Sequence, residues 1–228
     1  MQYLLLRSKR RTVAITLNSQ GDLIIRAPKD LPSEQLELIL RQKANWIERT
    51  KKRIQKQQKL CYNPLLDHKL ILFGQTYSIN FTPTIHQTQI GSHAISFPKT
   101  NSPTQQLVNF YKEQLKAYLH NQLPAWAKTM QVQYQSVKIT KAKKRLGSCS
   151  GRKTLCFSWL NAALPTWVID YIIVHELAHL KHLNHSPQFW SVVNTYYPNH
   201  QLAKKYIRQN LHLFPKLDSL TTSSNVNS

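Results

Sequence analysis

The stretch "VHELAHLKHLNHSPQFW", Val174 to Trp190, places four histidines, His175, His179, His182 and His185, within a few turns' length of chain, with Glu176 directly after the first. "HELAH" is an H-E-x-x-H pattern. On a helix, residues four apart share a face with their Cβ atoms ~6 Å apart, so His175 and His179 can present imidazoles to one Zn²⁺ at ~2.0–2.1 Å. The upstream run "TWVIDYIIV" has no Pro or Gly, and Ile169, Ile172, Ile173 and Leu177 supply a buried face. The pattern therefore sits near the middle of an apolar helix, with Thr166 as its N-cap. Asp170 falls in the N-terminal turns, where the helix dipole favours an acid.

A zinc site needs a third protein ligand. His182 is seven residues after His175, which puts it ~10.5 Å along an ideal helix axis, awkward for a metal lying between the first two. His185 approaches from another direction. Asn184 terminates a helix, and Ser186 and Pro187 suit the N-cap and first residue of the next one, "PQFWSVV", so His185 lies in the turn between them. The expected ligands are His175, His179 and His185, with His182 outside the set. Three protein ligands leave a tetrahedral corner for water, as catalytic zinc requires.

Glu176 lies ~100° around the helix from His175 and faces the water rather than the metal. Zinc lowers that water's pKa toward ~7, and a carboxylate in reach takes its proton and returns it to the leaving group. The residue that stabilises the oxyanion is not marked by spacing; Tyr196, Tyr197, His200 and Arg145 are the nearby candidates. The opposing reading, four packed or solvated histidines, leaves the helical spacing unexplained.

The longer string "RLGSCSGRKTLCFSWLNAALPTWVIDYIIVHELAHLKHLNHSPQFW" resembles the catalytic region of the YgjP-like metallopeptidase family, within a zincin group that includes the SprT-like proteases. That family pairs a "WGSC" hairpin with "VIDYVVVHEL.HL" and "NHS..FW". "RSKRRTVAITLNSQGDLIIRAPKDLPSEQLELILRQKANWIERT" is similar to its N-terminal region and "LFGQTY" to its middle. The resemblance implies His175, His179 and His185 as metal ligands and Glu176 as the catalytic acid–base, which agrees with the geometric reading. Leu146 departs from the family's Trp before Gly-Ser-Cys. The SprT-like relatives act on proteins attached to DNA.

Outward from the motif, the 228-residue chain carries 31 Lys and Arg against 10 Asp and Glu, a formal net charge of +21. A field of that sign favours anionic partners, nucleic acid or nucleotides among them, as well as solubility. "RSKRR", "RTKKRIQKQQK" and "KITKAKKR" concentrate it, but without interleaved aromatics for base stacking. No run approaches the ~20 apolar residues of a membrane span, and "MQYLLLRSKRRT" lacks a secretory h-region, so a cytoplasmic location is expected. Cys61, Cys149 and Cys156 are too few and odd in number for a disulfide framework; structural thiols are expected of the latter two.

"TVAITL", "NSQGD" and "LIIRA" read as strand, turn and strand, followed by a long helix from Ser33 bearing Leu36, Ile39, Leu40 and Ile47. "KLILFGQTYSINF" reads as a hairpin around Gly74, residues 82–103 as a loop, and 104–129 as a second helix. "SVKIT" and "TLCFSW" read as strands beside the turn "SCSGRK". The expected fold is α+β: an N-terminal antiparallel β-rich lobe with a long helix over 1–100, a zincin-like hydrolase lobe over 101–215, and a disordered tail over 216–228. The expected activity is zinc-dependent hydrolysis of a protein or peptide. Two other readings use the same residues: a metal-dependent nucleotide phosphohydrolase, and a basic nucleic-acid-binding module with structural zinc.

Overall fold

The computed structural model describes residues 2–18, 21–60, 63–142, 145–210, 214, 215 and 217, with the side chains of 56–60 outside the description. The chain divides into two compact units, Met1–Cys61 and Tyr62–Ser228. The expected lobe boundary at residue 100 falls inside the second. Cys61, Lys143, Lys144 and the tail from 218 onward lie outside the described residues, whereas Leu217 is buried against the second unit's core.

The first unit contains β1 (Tyr3–Ser8), β2 (Ala14–Leu17), β3 (Leu23–Pro28) and α1 (Ser33–Leu60). Leu23, Ile25 and Ala27 alternate inward from β3, and Leu36 and Ile47 of α1 close over that face. The sheet order is β1-β3-β2, and β1 pairs parallel to β3. The expected antiparallel lobe is therefore mixed: β2 and β3 form the hairpin, and β1 takes the free edge of β3 in the same direction as its partner. Arg7, from the first basic cluster, donates through Nη1 to the carbonyls of Pro28, Lys29 and Leu31 at 3.2, 2.8 and 2.8 Å. That guanidinium ties down the exit of β3 instead of facing solvent freely.

The second unit adds α2 (Pro64–Asp67), β4 (Lys69–Leu72), β5 (Gln75–Thr82), β6 (Gln89–Ile90), β7 (Ala94–Pro98), α3 (Pro103–Thr129), β8 (Ser136–Thr140), β9 (Gly147–Cys149), β10 (Thr154–Ser158), α4 (Thr166–Ala178), α5 (Pro187–Tyr196) and α6 (His200–Gln209). The β4–β5 hairpin turns on Phe73 and Gly74, both at positive φ (50° and 80°), the pairing a two-residue primed turn demands. The segment expected to be a loop, 82–103, holds β6 and β7, with β7 pairing parallel to β5. Only Ile95 and Phe97 mark it as a strand, and both are fully buried. The short run Ala94–Pro98 becomes a strand because β5 offers it an edge.

α3 buries Leu107, Phe110, Tyr111, Leu115, Leu119 and Leu123 at helical spacing. Its Tyr111 hydroxyl donates to the Ile71 carbonyl at 3.0 Å, and Tyr118 donates to Asp170 Oδ1 of α4 at 2.8 Å. Asp170, in the second of the N-terminal turns of α4, is thus also an inter-helix tie. α4 is apolar on nearly every side, as a helix packed all round must be. Its N-cap is Pro165, with no side-chain cap bond, and Thr166 is its first residue instead of its cap.

The fold is mixed α+β, with six helices and three small sheets among the described residues. In the third sheet, order β8-β10-β9, β8 pairs parallel and β9 antiparallel to β10. Cys149 is opposite Leu155 and Cys156 opposite Ser148, so alternation points the two thiols to opposite faces. Both are free and partly buried, which excludes a bond across this hairpin.

Candidate metal centre

The histidine motif lies at the C-terminal end of α4, not near its middle. His175 and Glu176 are helical, and His179 is the C-cap with φ −65° and ψ −17°. The amides of Leu180 and Lys181 bond three residues back, to Leu177 and Ala178, and the chain leaves the helix. His182 is therefore off the helix. It is not among the three histidines that converge, and the helix-axis distance expected to keep it away does not apply to a residue outside the helix. Its carbonyl faces His179 Nδ1 at 3.1 Å. A carbonyl only accepts, so Nδ1 carries the proton and the Nε2 lone pair of His179 is left for a metal.

The return turn forms as its sequence requires. Ser186 accepts from the Phe189 amide at 3.3 Å and Pro187 opens α5. This turn brings His185 back over α4. One ligand nitrogen from each of His175, His179 and His185 lies within 4.8 Å of the others. His175 Nε2 and His185 Nε2 are 3.1 Å apart. Two nitrogens on a tetrahedral zinc at ~2.0–2.1 Å stand about 3.3–3.4 Å apart, close to the His175–His185 spacing, and three neutral nitrogen donors are a set such an ion takes. Burial foremost, then the neighbouring His179, His185 and Lys204, holds the His175 imidazole down at about 3. Burial likewise lowers His179. Neutral imidazole is the ligating form.

Glu176 is 4% exposed, the one buried acid among the described residues, and burial pushes its carboxyl up to about 8. Its Oε2 has no hydrogen-bond partner there. The side chain reaches under β9, the edge strand of the third sheet.

Phe189, Trp190 and Gly147 were not legible as site residues. The Phe189 ring, fully buried, has its centroid 5.0, 4.5 and 4.8 Å from those of His175, His179 and His185. Trp190 stacks on His185 at 5.7 Å and on His200 at 5.6 Å, with Lys204 Nζ 4.2 Å from its centroid. The available signal was their place: two aromatics three and four residues after a Ser-Pro helix start fall on the side that turns back to α4. Of the oxyanion candidates, Tyr197 donates to the Trp167 carbonyl and is committed there. Tyr196 lies under Lys181 Nζ at 5.5 Å, Arg145 is exposed, and His200 is buried against Trp190.

Three imidazoles converging from a helix end and the following turn, with a buried glutamate beside them, define a metal-binding site of the metallopeptidase class. The chain belongs to the YgjP-like metallopeptidase family, whose model matches residues 11–210. It is similar to the crystal structure of the metallopeptidase zymogen abylysin from Pyrococcus abyssi: 25% identity, 41% of this chain and 94% of that one, TM-score 0.39. It is also similar to that of the metallopeptidase zymogen jannalysin from Methanocaldococcus jannaschii: 23% identity, 39% and 92% coverage, TM-score 0.36. No curated protein matches the chain. No helix among the described residues is long and apolar enough to cross a membrane.

Proposed function

We propose that this metallopeptidase uses Zn²⁺ held by His175, His179 and His185, that Glu176 is its general base, and that the zincin-like lobe expected over 101–215 carries the reaction. The convergence of the three imidazole nitrogens within 4.8 Å supports this reading most directly. Nitrogen donors at that spacing suit zinc better than the hard cations that prefer oxygen. A bound zinc ion supplies Lewis acidity, polarising the scissile carbonyl and acidifying the attacking water. In its ionised form Glu176 takes the water's proton, and the neutral carboxyl that burial favours passes it to the leaving amine, so the one group serves both halves of the hydrolysis. His179 is held in the ligating tautomer by the His182 carbonyl, and Phe189 backs all three rings. Proteins or peptides are the substrates, in a cytoplasmic setting.

The test compares wild type and Glu176→Gln, both with measured zinc content, on an unfolded protein substrate and on nucleoside triphosphates. The variant should keep about one zinc per chain and lose proteolysis. Undiminished proteolysis would remove Glu176 from its role. Triphosphate hydrolysis lost with Glu176, in the absence of proteolysis, would move the reading to a phosphohydrolase.

A further inference from the structure

We propose that Gly147 is a positioning residue for Glu176: the space its side chain would fill is the space the Glu176 carboxyl occupies. In β9, Gly147 pairs with Phe157, so both lie on the sheet face that carries the buried Phe157 ring, and α4 packs against β9. A Cβ built on Gly147 would stand 2.7 Å from both Cγ and Cδ of Glu176, and closer still to Oε1. Real Cβ atoms essentially never come within 3.0 Å of a neighbour. The glycine is not there for its backbone. The positive-φ glycines are Gly21 and Gly74, so the conformation of Gly147 is open to other residues and only the space is not. Nor is the whole hairpin crowded, since Gly151 has nothing within 4 Å of its missing Cβ.

The reason this close approach bears on catalysis is the missing hydrogen bond. Glu176 Oε2 is buried with no partner among the described residues. No side chain or backbone group of the described residues orients Oε2, so on the protein side the carboxyl is placed by what confines it, α4 on one side and the bare Cα of Gly147 on the other. A methyl group at 147 would push the carboxyl off its position by roughly 1 Å, a misplacement of the kind that costs about 10²-fold in rate. The consequence for turnover rests on Glu176 being the general base; the steric coupling does not.

The experiment uses full-length protein, with and without zinc, as wild type, Gly147→Ala, Glu176→Ala and the double variant. Gly147→Ala should lower Tm by about 2–12 °C, the cost of overpacking by ~1–3 kcal/mol in a chain of this size. In the Glu176→Ala background, where the carboxyl is gone, the same substitution should cost under a third of that. Gly147→Ala should also retain its zinc and its KM while kcat falls about 10²-fold. An equal Tm loss in both backgrounds would mean that the glycine serves the strand alone, and would overturn the proposal. So would unchanged kcat in Gly147→Ala when Glu176→Gln is inactive. If Gly147→Ala does not fold, the double variant decides: folded, it supports the coupling; unfolded, it overturns it. Intact proteolysis by Glu176→Gln, alongside a Tm coupling that stands, would locate the error in the general-base assignment and not in this contact.

Discussion

Phe189→Ala removes the ring against which all three site imidazoles rest. The side chain is fully buried, and its centroid lies 4.5–5.0 Å from the histidine centroids. Truncating a core Phe to Ala costs ~3–5 kcal/mol from lost transfer energy and the cavity left behind. For a chain of this length that is about 6–20 °C in Tm for the zinc-free protein. The second effect concerns the metal. Loss of groups that orient metal ligands typically weakens affinity ~10–100-fold. That is ~1.4–2.7 kcal/mol of linked stability, so zinc should raise the variant's Tm by about 3–10 °C less than it raises that of wild type. The two effects separate in a thermal-unfolding series at fixed zinc, with and without chelator, beside a competitive chelator titration. Phe189→Leu serves as the milder variant, filling most of the volume without the flat ring. If zinc raises Tm equally in wild type and both variants, the ring is core filler with no hold on the histidines.

Two further outcomes follow from the geometry. His185→Ala should lose most of its zinc, while His182→Ala should stay near one zinc per chain, because residue 182 acts through its backbone carbonyl; metal analysis of the purified proteins reads both, and the reverse pattern would contradict the ligand set. Asp170 concerns stability against pH. Burial raises its carboxyl above the usual range, only partly offset by the Tyr118 and Trp126 hydrogen bonds. A raised pKa means that the folded protein binds the proton more tightly than the unfolded chain, so this residue's contribution falls as pH climbs from the ordinary carboxylate pKa through the raised one. Asp170→Asn keeps the acceptor for Tyr118 and has no charge to desolvate, so urea unfolding between pH 3 and 7 should show a flatter decline than wild type. Superimposable pH profiles would refute this account.

The parts of the site that were legible in the sequence are those governed by neighbours in the chain. Four-residue spacing put His175 and His179 on one side of α4, and Ser186-Pro187 marked where the next helix starts. His185 followed from that turn. The end of α4 was not legible, because no Gly or Pro marks it. The helix stops where the mostly buried run through Ala178 gives way to Lys181, His182 and the exposed Leu183. β7 was missed for the converse reason: its two inward residues suffice only because β5 lies alongside. The parallel pairing of β1 was equally invisible, since strand direction is chosen by the partner's free edge.

The three candidate ligand histidines, the acid beside them and the long helices were thus marked by the sequence alone, because chain stiffness and hydrophobic period operate over a few residues. The tertiary structure decided the tautomer of His179, the backing of three imidazoles by Phe189, and the confinement of Glu176 beneath Gly147. These depend on desolvation and on contacts between residues well separated along the chain, and no local pattern encodes which buried atom will find a partner and which will be left without one.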